Sequence, residues 1–333
     1  MAPFYDARGN IYAVISPQAL RNLGVSLPDS AAEAALARQS WTAGAVAAIC
    51  DWPDGQRPAG SKTHRSDGLL VGPFQDAAPF DVLIVNTDGT LAERSGNGLT
   101  IFAQSLTDTG RVLSVEGFTL RVHHDNQDSA SPVPTDAVAA VIEGLPGFWL
   151  DIGTPAFGAK AVGARGTGVG DAMLDHAQVN RVERLASLHP HWQTSVFVRV
   201  GNPHCVTLVP DVEALPSFEQ LHESPLNDAL TQIAFAAGEF GTGEPCPAGV
   251  NLQWAAKIGP NQIMARVFER GEGPTASSGT SASAVACAAW LCGWVGAGLV
   301  EIVMPGGTAP VRLIEHEGRL QQVQLFGAAH IQR

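Results

Sequence analysis

Two stretches of the chain nearly repeat one another. Asn86-Thr87-Asp88-Gly89-Thr90 leads to Ser95-Gly96-Asn97-Gly98, and Glu269-Arg270-Gly271-Glu272-Gly273 leads to Ser278-Gly279-Thr280-Ser281. Each sets one hydroxyl residue in glycine-rich backbone just ahead of an apolar run with helical spacing. A helix that starts this way leaves free N–H groups at its tip, which makes an anion-binding terminus with one side chain beside it. The flanking order repeats as well: strands, glycine-rich turn, apolar helix, further strands. The pattern predicts an internal duplication, two pseudo-symmetric α+β domains each with a sheet wrapped around a central helix. The expected division is residues 1–146, joined by a returning strand over 325–333, and residues 147–324.

A chain of 333 residues that is 45% hydrophobic and 16% charged has enough apolar material for two cores. Its net charge of −12, with lysine only at Lys62, Lys160 and Lys257, argues against nucleic acid or an anionic membrane as partner. The opening Met1-Ala2-Pro3-Phe4-Tyr5-Asp6 has no basic or apolar leader character. The most apolar segment, 282–300, is interrupted by Gly293, Gly296 and Gly298 and reads as a buried core helix rather than a span. Cys50, Cys205, Cys246, Cys287 and Cys292 form no metal spacing, and their odd number suits a reducing cytoplasm. His123-His124 and His189-Pro190-His191 lack a third ligand at metal spacing and are expected as solvated or turn histidines, so no metal is expected. Neither a dinucleotide-type strand–helix–acid context nor a G-x-S-x-G elbow is present, so no cofactor is expected and a serine hydrolase is disfavoured.

Along the chain, strands are predicted at Ile11–Ile15, Leu69–Val71 and Asp81–Val85, with an alanine-rich helical pattern over 17–48 and a polar loop over 51–66 between the first two. Helical spacing runs from Leu99 to Leu106, and two more strands are expected at Val112–Val115 and Thr119–Val122. Residues 124–135 are the most linker-like stretch, expected as an exposed loop. Further strands are predicted at Phe148–Ile152, Ser195–Val200, Cys205–Leu208, Val250–Ala255, Gln262–Phe268 and Leu299–Met304, with Gly201-Asn202-Pro203-His204 as a turn.

Chemically, two helix N-termini facing each other across an interdomain cleft would grip one carboxylate. Ser95 and Ser278 would then flank the attached carbon, one on each side, so that a proton leaves one face and another returns to the opposite face. The plainer reading is that each serine is an ordinary helix N-cap.

At this point the chain resembles the diaminopimelate epimerase superfamily, cofactor-independent racemases and isomerases with two pseudo-symmetric domains. Arg8-Gly9-Asn10-Ile11-Tyr12 is similar to the family's opening G-N-x-[FY]. The stretch from Asn86 to Thr90, with Glu93-Arg94-Ser95-Gly96-Asn97-Gly98, is similar to N-x-D-G-S…E-x-C-G-N-G. Gly201 to His204 matches G-N-P-H, and Gly249-Val250-Asn251 stands where the family has R-x-N. Phe268-Glu269-Arg270-Gly271, followed by Thr275 to Thr280, is similar to [YW]-E-R-G…T-x-A-C-G-T/S-G. The resemblance implies that Asn10, Asn86, Asn202, Asn251, Glu269 and Arg270 bind or frame the substrate. It implies that the Gly96-Asn97-Gly98 and Gly279-Thr280-Ser281 amides hold its carboxylate. It also suggests a homodimer and a small carboxylate or amino-acid substrate. Taken singly, each asparagine equally suits a turn residue bonding its own backbone, and Glu269 with Arg270 equally suits a surface ion pair.

The departures bear on mechanism. Both catalytic cysteines of the family stand as serine here, Ser95 and Ser278. Asp67-Gly68 replaces a glutamine, a histidine of the opening motif is missing, the last glycine of the second turn is Ser281, and residues 17–66 form a longer insertion than the family norm. A thiol ionises near pH ~8.5 and an alcohol near ~15.7, a gap of roughly 10 kcal/mol that a helix dipole worth about 1–2 kcal/mol does not close. Unaided serines should therefore not abstract an α-proton efficiently. Three functions remain open: an isomerase in which the serines position or relay protons; an allylic isomerase, tautomerase or lyase using a carboxylate base among Asp67, Asp88, Glu93 and Glu272; or a binder that keeps the carboxylate clamp.

Overall fold

The computed structural model describes residues 2–112, 117–127 and 129–332, which divide into two compact units. One comprises residues 1–151 with 327–333, the other residues 152–326.

The first unit begins with β1 (Phe4–Ala7), β2 (Asn10–Ile15), α1 (Pro17–Asn22), α2 (Ala31–Leu36) and α3 (Thr42–Ile49). It continues through β3 (Gly68–Val71), β4 (Phe80–Asn86), α4 (Gly96–Asp108), β5 (Phe118–Val122), β6 (Val133–Ile142) and β7 (Leu145–Gly153). β1 and β2 are antiparallel, β2 and β3 parallel, and β3 and β4 antiparallel. The chain then crosses through α4, and β5 pairs parallel to β4 before β5, β6 and β7 run antiparallel. The short helices α1 to α3 cover the outside of the sheet, where Leu20, Trp41, Val46 and Ile49 pack with Leu69, Val71, Leu83 and Val85.

The second unit contains β8 (Ala156–Phe157), α5 (Ala159–Val162), β9 (Val169–Leu174), β10 (Ala177–Val182), α6 (Glu183–Leu188), β11 (Ser195–Val200), β12 (Asn202–Leu208) and α7 (Leu226–Ala234). There follow β13 (Asn251–Gly259), β14 (Gln262–Glu269), β15 (Gly273–Thr275), α8 (Gly279–Leu291), β16 (Gly298–Met304), β17 (Gly307–His316) and β18 (Arg319–Gly327). Its pairing repeats the first unit step for step. β11 and β12 are antiparallel, β12 and β13 parallel, and β13 and β14 antiparallel. A helix then crosses to β16, which is parallel to β14, and β16, β17 and β18 run antiparallel. β19 (His330–Ile331) returns to pair with β1 of the first unit.

The sequence of α8 explains why a sheet can close around it. From Thr280 to Ala289 every residue is buried, and most are alanine, serine or cysteine. Small side chains all round let strands approach from several directions, and α8 touches β11, β12, β13, β14, β16 and β17. Strand β13 is buried on both faces in consequence: Leu252, Trp254 and Ala256 join the outer core, while Gln253 on the alternate face reaches α8. Trp254 packs on Trp192 with ring centroids 4.9 Å apart.

Several expectations needed correction. The helical pattern over 17–48 breaks into α1, α2 and α3: Gly24 at φ +86° and Pro28 separate the first two, and a 3-10 turn at Arg38–Ser40 separates α2 from α3. The helix predicted to run on toward residue 300 ends at Leu291, and Gly298 opens β16 instead. Residues 133–135, read as the end of an exposed loop, are the start of β6, where Thr135 is buried. Asn202, Pro203 and His204, read as a turn, are the first residues of β12. His123 and His124 are buried rather than solvated. His123 lies 3.0 Å from Asp81, and His124 Nε2 is 3.1 Å from the Ala130 carbonyl. The strand expected at Val112–Val115 falls largely outside the described residues. Among the described residues no helix is long and apolar enough to cross a membrane, and all five cysteines are free and buried.

Trp254→Ala removes one of the two indole rings of the outer core in the second unit and is expected to cost about 3–5 kcal/mol of unfolding free energy. Urea denaturation followed by tryptophan fluorescence measures it. A loss below about 1 kcal/mol would contradict this packing.

Candidate active site

Each unit places its serine at the tip of its crossover helix. Ser95 has extended backbone (φ −141°, ψ 118°), and its Oγ accepts from Gly98 N at 3.1 Å. Ser278 has nearly the same backbone (φ −152°, ψ 122°), and its Oγ accepts from Ser281 N at 3.4 Å. Both are therefore N-caps. Neither cap reaches the first two N–H groups of its helix, Gly96 and Asn97 in α4 or Gly279 and Thr280 in α8. Those four donors have no acceptor among the described residues. Orphan donors at a largely buried helix start form a site for an anion. Gly98 packs closely here: a Cβ would come within 3.2 Å of Ser95 Oγ, so that side chain would have to shift.

The two tips differ in what else the serine touches. The Ser278 hydroxyl donates to Glu269 Oε1 at 2.7 Å. Glu269 ends β14, and the tight turn to β15 sets it opposite Gly273, which aims it at the helix start. Burial, reinforced by the negative charge of Glu272, pushes its carboxyl up to about 7, against the opposing hydrogen bond from Ser278. A carboxyl poised there exchanges protons readily at neutral pH. Among the described residues Ser95 has no such carboxylate partner.

Beneath the first turn of α8 lies a buried polar chain. Gln253 Nε2 is 3.1 Å from His204 Nδ1 and 3.0 Å from Ser281 Oγ, and all three residues are fully buried. Burial and the nearby Arg270 charge push His204 down to about 3, so its ring is neutral throughout the working pH range. His204 is thus a hydrogen-bonding strut, as its placement within β12 requires. Ser281, where the family turn ends in glycine, supplies the hydroxyl that fastens the helix to Gln253.

The remaining candidates make the following contacts. Asn86 Nδ2 donates to Thr90 Oγ1 at 2.9 Å, closing its own turn. Asn10 Nδ2 lies 3.4 Å from Asp67 Oδ2, which also accepts from Ile11 N at 2.8 Å. Asn251 Oδ1 accepts from Arg270 N at 2.9 Å and so holds the corner that carries Glu269. Asn202 opens β12 opposite Val200. The Arg270 guanidinium donates to the Ala248 carbonyl and lines a pocket of about 310 Å³ with Phe235 and Phe240. The surface-ion-pair reading of Glu269 fails, since its carboxyl is engaged by Ser278.

Of the four carboxylates singled out as alternative bases, three are occupied elsewhere. Asp67 faces Lys62 at 2.5 Å, Asp88 binds Thr90, and Glu93 accepts from Asn126 and Ser129. Glu272 acts on Glu269 through its charge. Glu269 itself was read as a substrate contact, and its pairing with Ser278 went unseen. The signal was available in outline: a strand ending in Glu, a glycine turn, and a serine nine positions on. Among the described residues no cluster of three His, Cys, Asp or Glu side chains is placed to hold a metal.

The comparisons agree with this architecture. The sequence profile of the diaminopimelate epimerase family matches residues 196–330. Diaminopimelate epimerase 2 of Nostoc sp. is 29% identical over 255 residues, covering 74% of this chain and 74% of that protein. Among solved structures, a methylitaconate-delta-isomerase superposes with a TM-score of 0.57 at 16% identity, covering 100% of this chain and 93% of the other. A hydroxyproline epimerase from Agrobacterium vitis, crystallised with trans-4-hydroxy-L-proline, also gives 0.57, at 14% identity over 100% and 90%. At those identities the likeness is one of fold. Together with the duplicated sheet-and-helix units and the serine-capped turns, the sequence relatives lead to one conclusion: the chain is related to the diaminopimelate epimerases and is an isomerase-type enzyme.

Proposed function

We propose that the chain is an isomerase that moves a proton at the carbon next to a carboxylate, on an amino-acid-like substrate, with Glu269 as the base that Ser278 serves. The observation that carries this reading is the 2.7 Å hydrogen bond from Ser278 to a carboxyl held at about 7. A lone serine is too weak a base by roughly 10 kcal/mol, as the comparison of alcohol and thiol shows. A carboxylate half-ionised near neutrality is not. In the relay, Ser278 Oγ takes the proton from carbon while its own proton passes to Glu269, so that the carboxylate ends protonated and the hydroxyl is regenerated. The N–H groups of Gly279 and Thr280 suit the substrate carboxylate and the negative charge that develops on it. Ser95, with the Gly96 and Asn97 amides, offers an anion site of the same kind without a carboxylate base. The two serines are accordingly assigned unequal roles.

A second reading draws on the same observation. A carboxylate base in place of a thiolate also suits an allylic proton shift in an unsaturated carboxylate, where the carbon acid is stronger.

Solvent-deuterium exchange into candidate amino acids and unsaturated carboxylates, followed by NMR, tests the reading. The wild type is expected to exchange the proton beside the carboxylate, and Glu269→Gln to lower that rate by about 10²–10⁴-fold. Ser278→Ala should lower it more than Ser95→Ala. Exchange that survives both Glu269→Gln and Ser278→Ala would overturn the reading, and saturable binding without exchange would leave a binder.

The raised carboxyl also has a stability consequence. Because the folded state holds the Glu269 proton more tightly than the unfolded chain, the resulting stabilisation is complete below pH ~4.5 and is lost as pH rises through about 7. At pH 8 the buried carboxylate is a burden on the fold. Glu269→Gln should therefore gain on the order of 2–3 kcal/mol at pH 8 and much less at pH 5, measured by urea denaturation. Equal effects at the two pH values would contradict it.

A further inference from the structure

The insertion over residues 17–66 builds more than a cover for the first sheet. Together with β1, β2 and the C-terminal end of α4 it walls a pocket of about 750 Å³. That volume lies within the range of small-molecule sites. Its walls are largely apolar, with Phe4, Leu23, Ile49 and Leu106 among them, and two arginines, Arg65 and Arg111, also line it. Arg111 is neutralised by Asp76 at 2.6 Å. Arg65 has no carboxylate partner among the described residues. Its backbone N–H is bonded to the Cys50 carbonyl, and its guanidinium lies 4.4 Å over the Phe4 ring, but the guanidinium makes no hydrogen bond or ion pair with any described residue.

A guanidinium has five N–H donors in a rigid fork matched to a carboxylate. Here it lies over the ring of Phe4, it is only partly exposed, and none of its donors is used by any described residue. In a chain of net charge −12, a cation left without a carboxylate at an apolar pocket is conspicuous. We propose that this pocket is a second ligand site, for an apolar monocarboxylate whose tail lies against Phe4, Leu23, Ile49 and Leu106 and whose carboxylate takes the fork of Arg65. The site is separate from the Ser95 tip. Ser105, which lines it, lies ten residues further along α4, about 15 Å at 1.5 Å per residue. The proposal does not depend on the isomerase reading, because it concerns binding and not proton exchange.

Calorimetric titration of the whole protein with octanoate, octan-1-ol and octylamine tests it. Octanoate is expected to bind, and octylamine to bind at least about ten-fold more weakly. Arg65→Met should weaken octanoate by at least about ten-fold while leaving octan-1-ol unchanged, because it keeps the stem of the side chain and removes the fork. Leu23→Trp, at a position 56% exposed, should weaken octanoate and octan-1-ol together by crowding the pocket. Three results would overturn the proposal: no octanoate binding at millimolar concentration, equal affinity for all three probes, or octanoate affinity untouched by Arg65→Met. A sedimentation mass that falls from dimer to monomer in Leu23→Trp, with no octanoate binding by the wild type, would assign the pocket to a second copy of the chain and likewise overturn it.

Discussion

A helix buried along almost its whole length has no place to hide its first N–H groups except at its own tip, and the second unit is organised around that constraint. Helix α8 is small-sided and enclosed by six strands, so its N-terminus has to be closed from within. Ser278 closes part of it with a lone pair, accepting from Ser281 N, and the same oxygen donates its proton to Glu269. One atom thus joins the helix terminus, which favours negative charge, to a carboxyl that burial keeps half-protonated. The N–H groups of Gly279 and Thr280 stay open beside it.

The supports of that corner are polar and buried and only partly satisfied, since His204 Nε2 and Gln253 Oε1 have no partner among the described residues. Gln253 ties His204 to Ser281, and Asn251 holds the Arg270 backbone. Strand β13 therefore faces Leu252 and Trp254 to the outer core and Asn251 and Gln253 to the site. A neutral His204 suits this arrangement, because a charged ring next to Arg270 and sealed from water would be expelled or deprotonated. Among the described residues the first unit repeats the sheet and the cap but not the carboxylate, so the two tips are chemically unlike.

Much of this was legible in the residues because the physics involved is local. Ser95 and Ser278 announce helix starts through glycine-rich turns and apolar runs, and the short apolar, β-branched run Val82–Val85 announces a strand. What escaped depends on distance or register. The hairpin of β9 and β10 is half-exposed and polar, without the alternation that marks a strand. His204 looked like a turn residue because Gly201, Asn202 and Pro203 precede it, yet pairing with β11 and β13 draws it into a strand. The asparagines were ambiguous one at a time, and only their partners, Thr90, Asp67 and Arg270, show what each holds. Glu269 was visible as an acid, but its role is set by the β14–β15 turn, which brings it back to Ser278 nine positions later.

The most direct measurement is a ¹³C NMR titration of the Glu269 side-chain carboxyl in the wild type and in Ser278→Ala. The wild-type carboxyl should titrate near 7, and removing the hydroxyl that favours its charged form should move it higher. A wild-type carboxyl titrating in the ordinary range for glutamate, near ~4.3, or one indifferent to Ser278→Ala, would contradict the pairing on which the proposed chemistry stands.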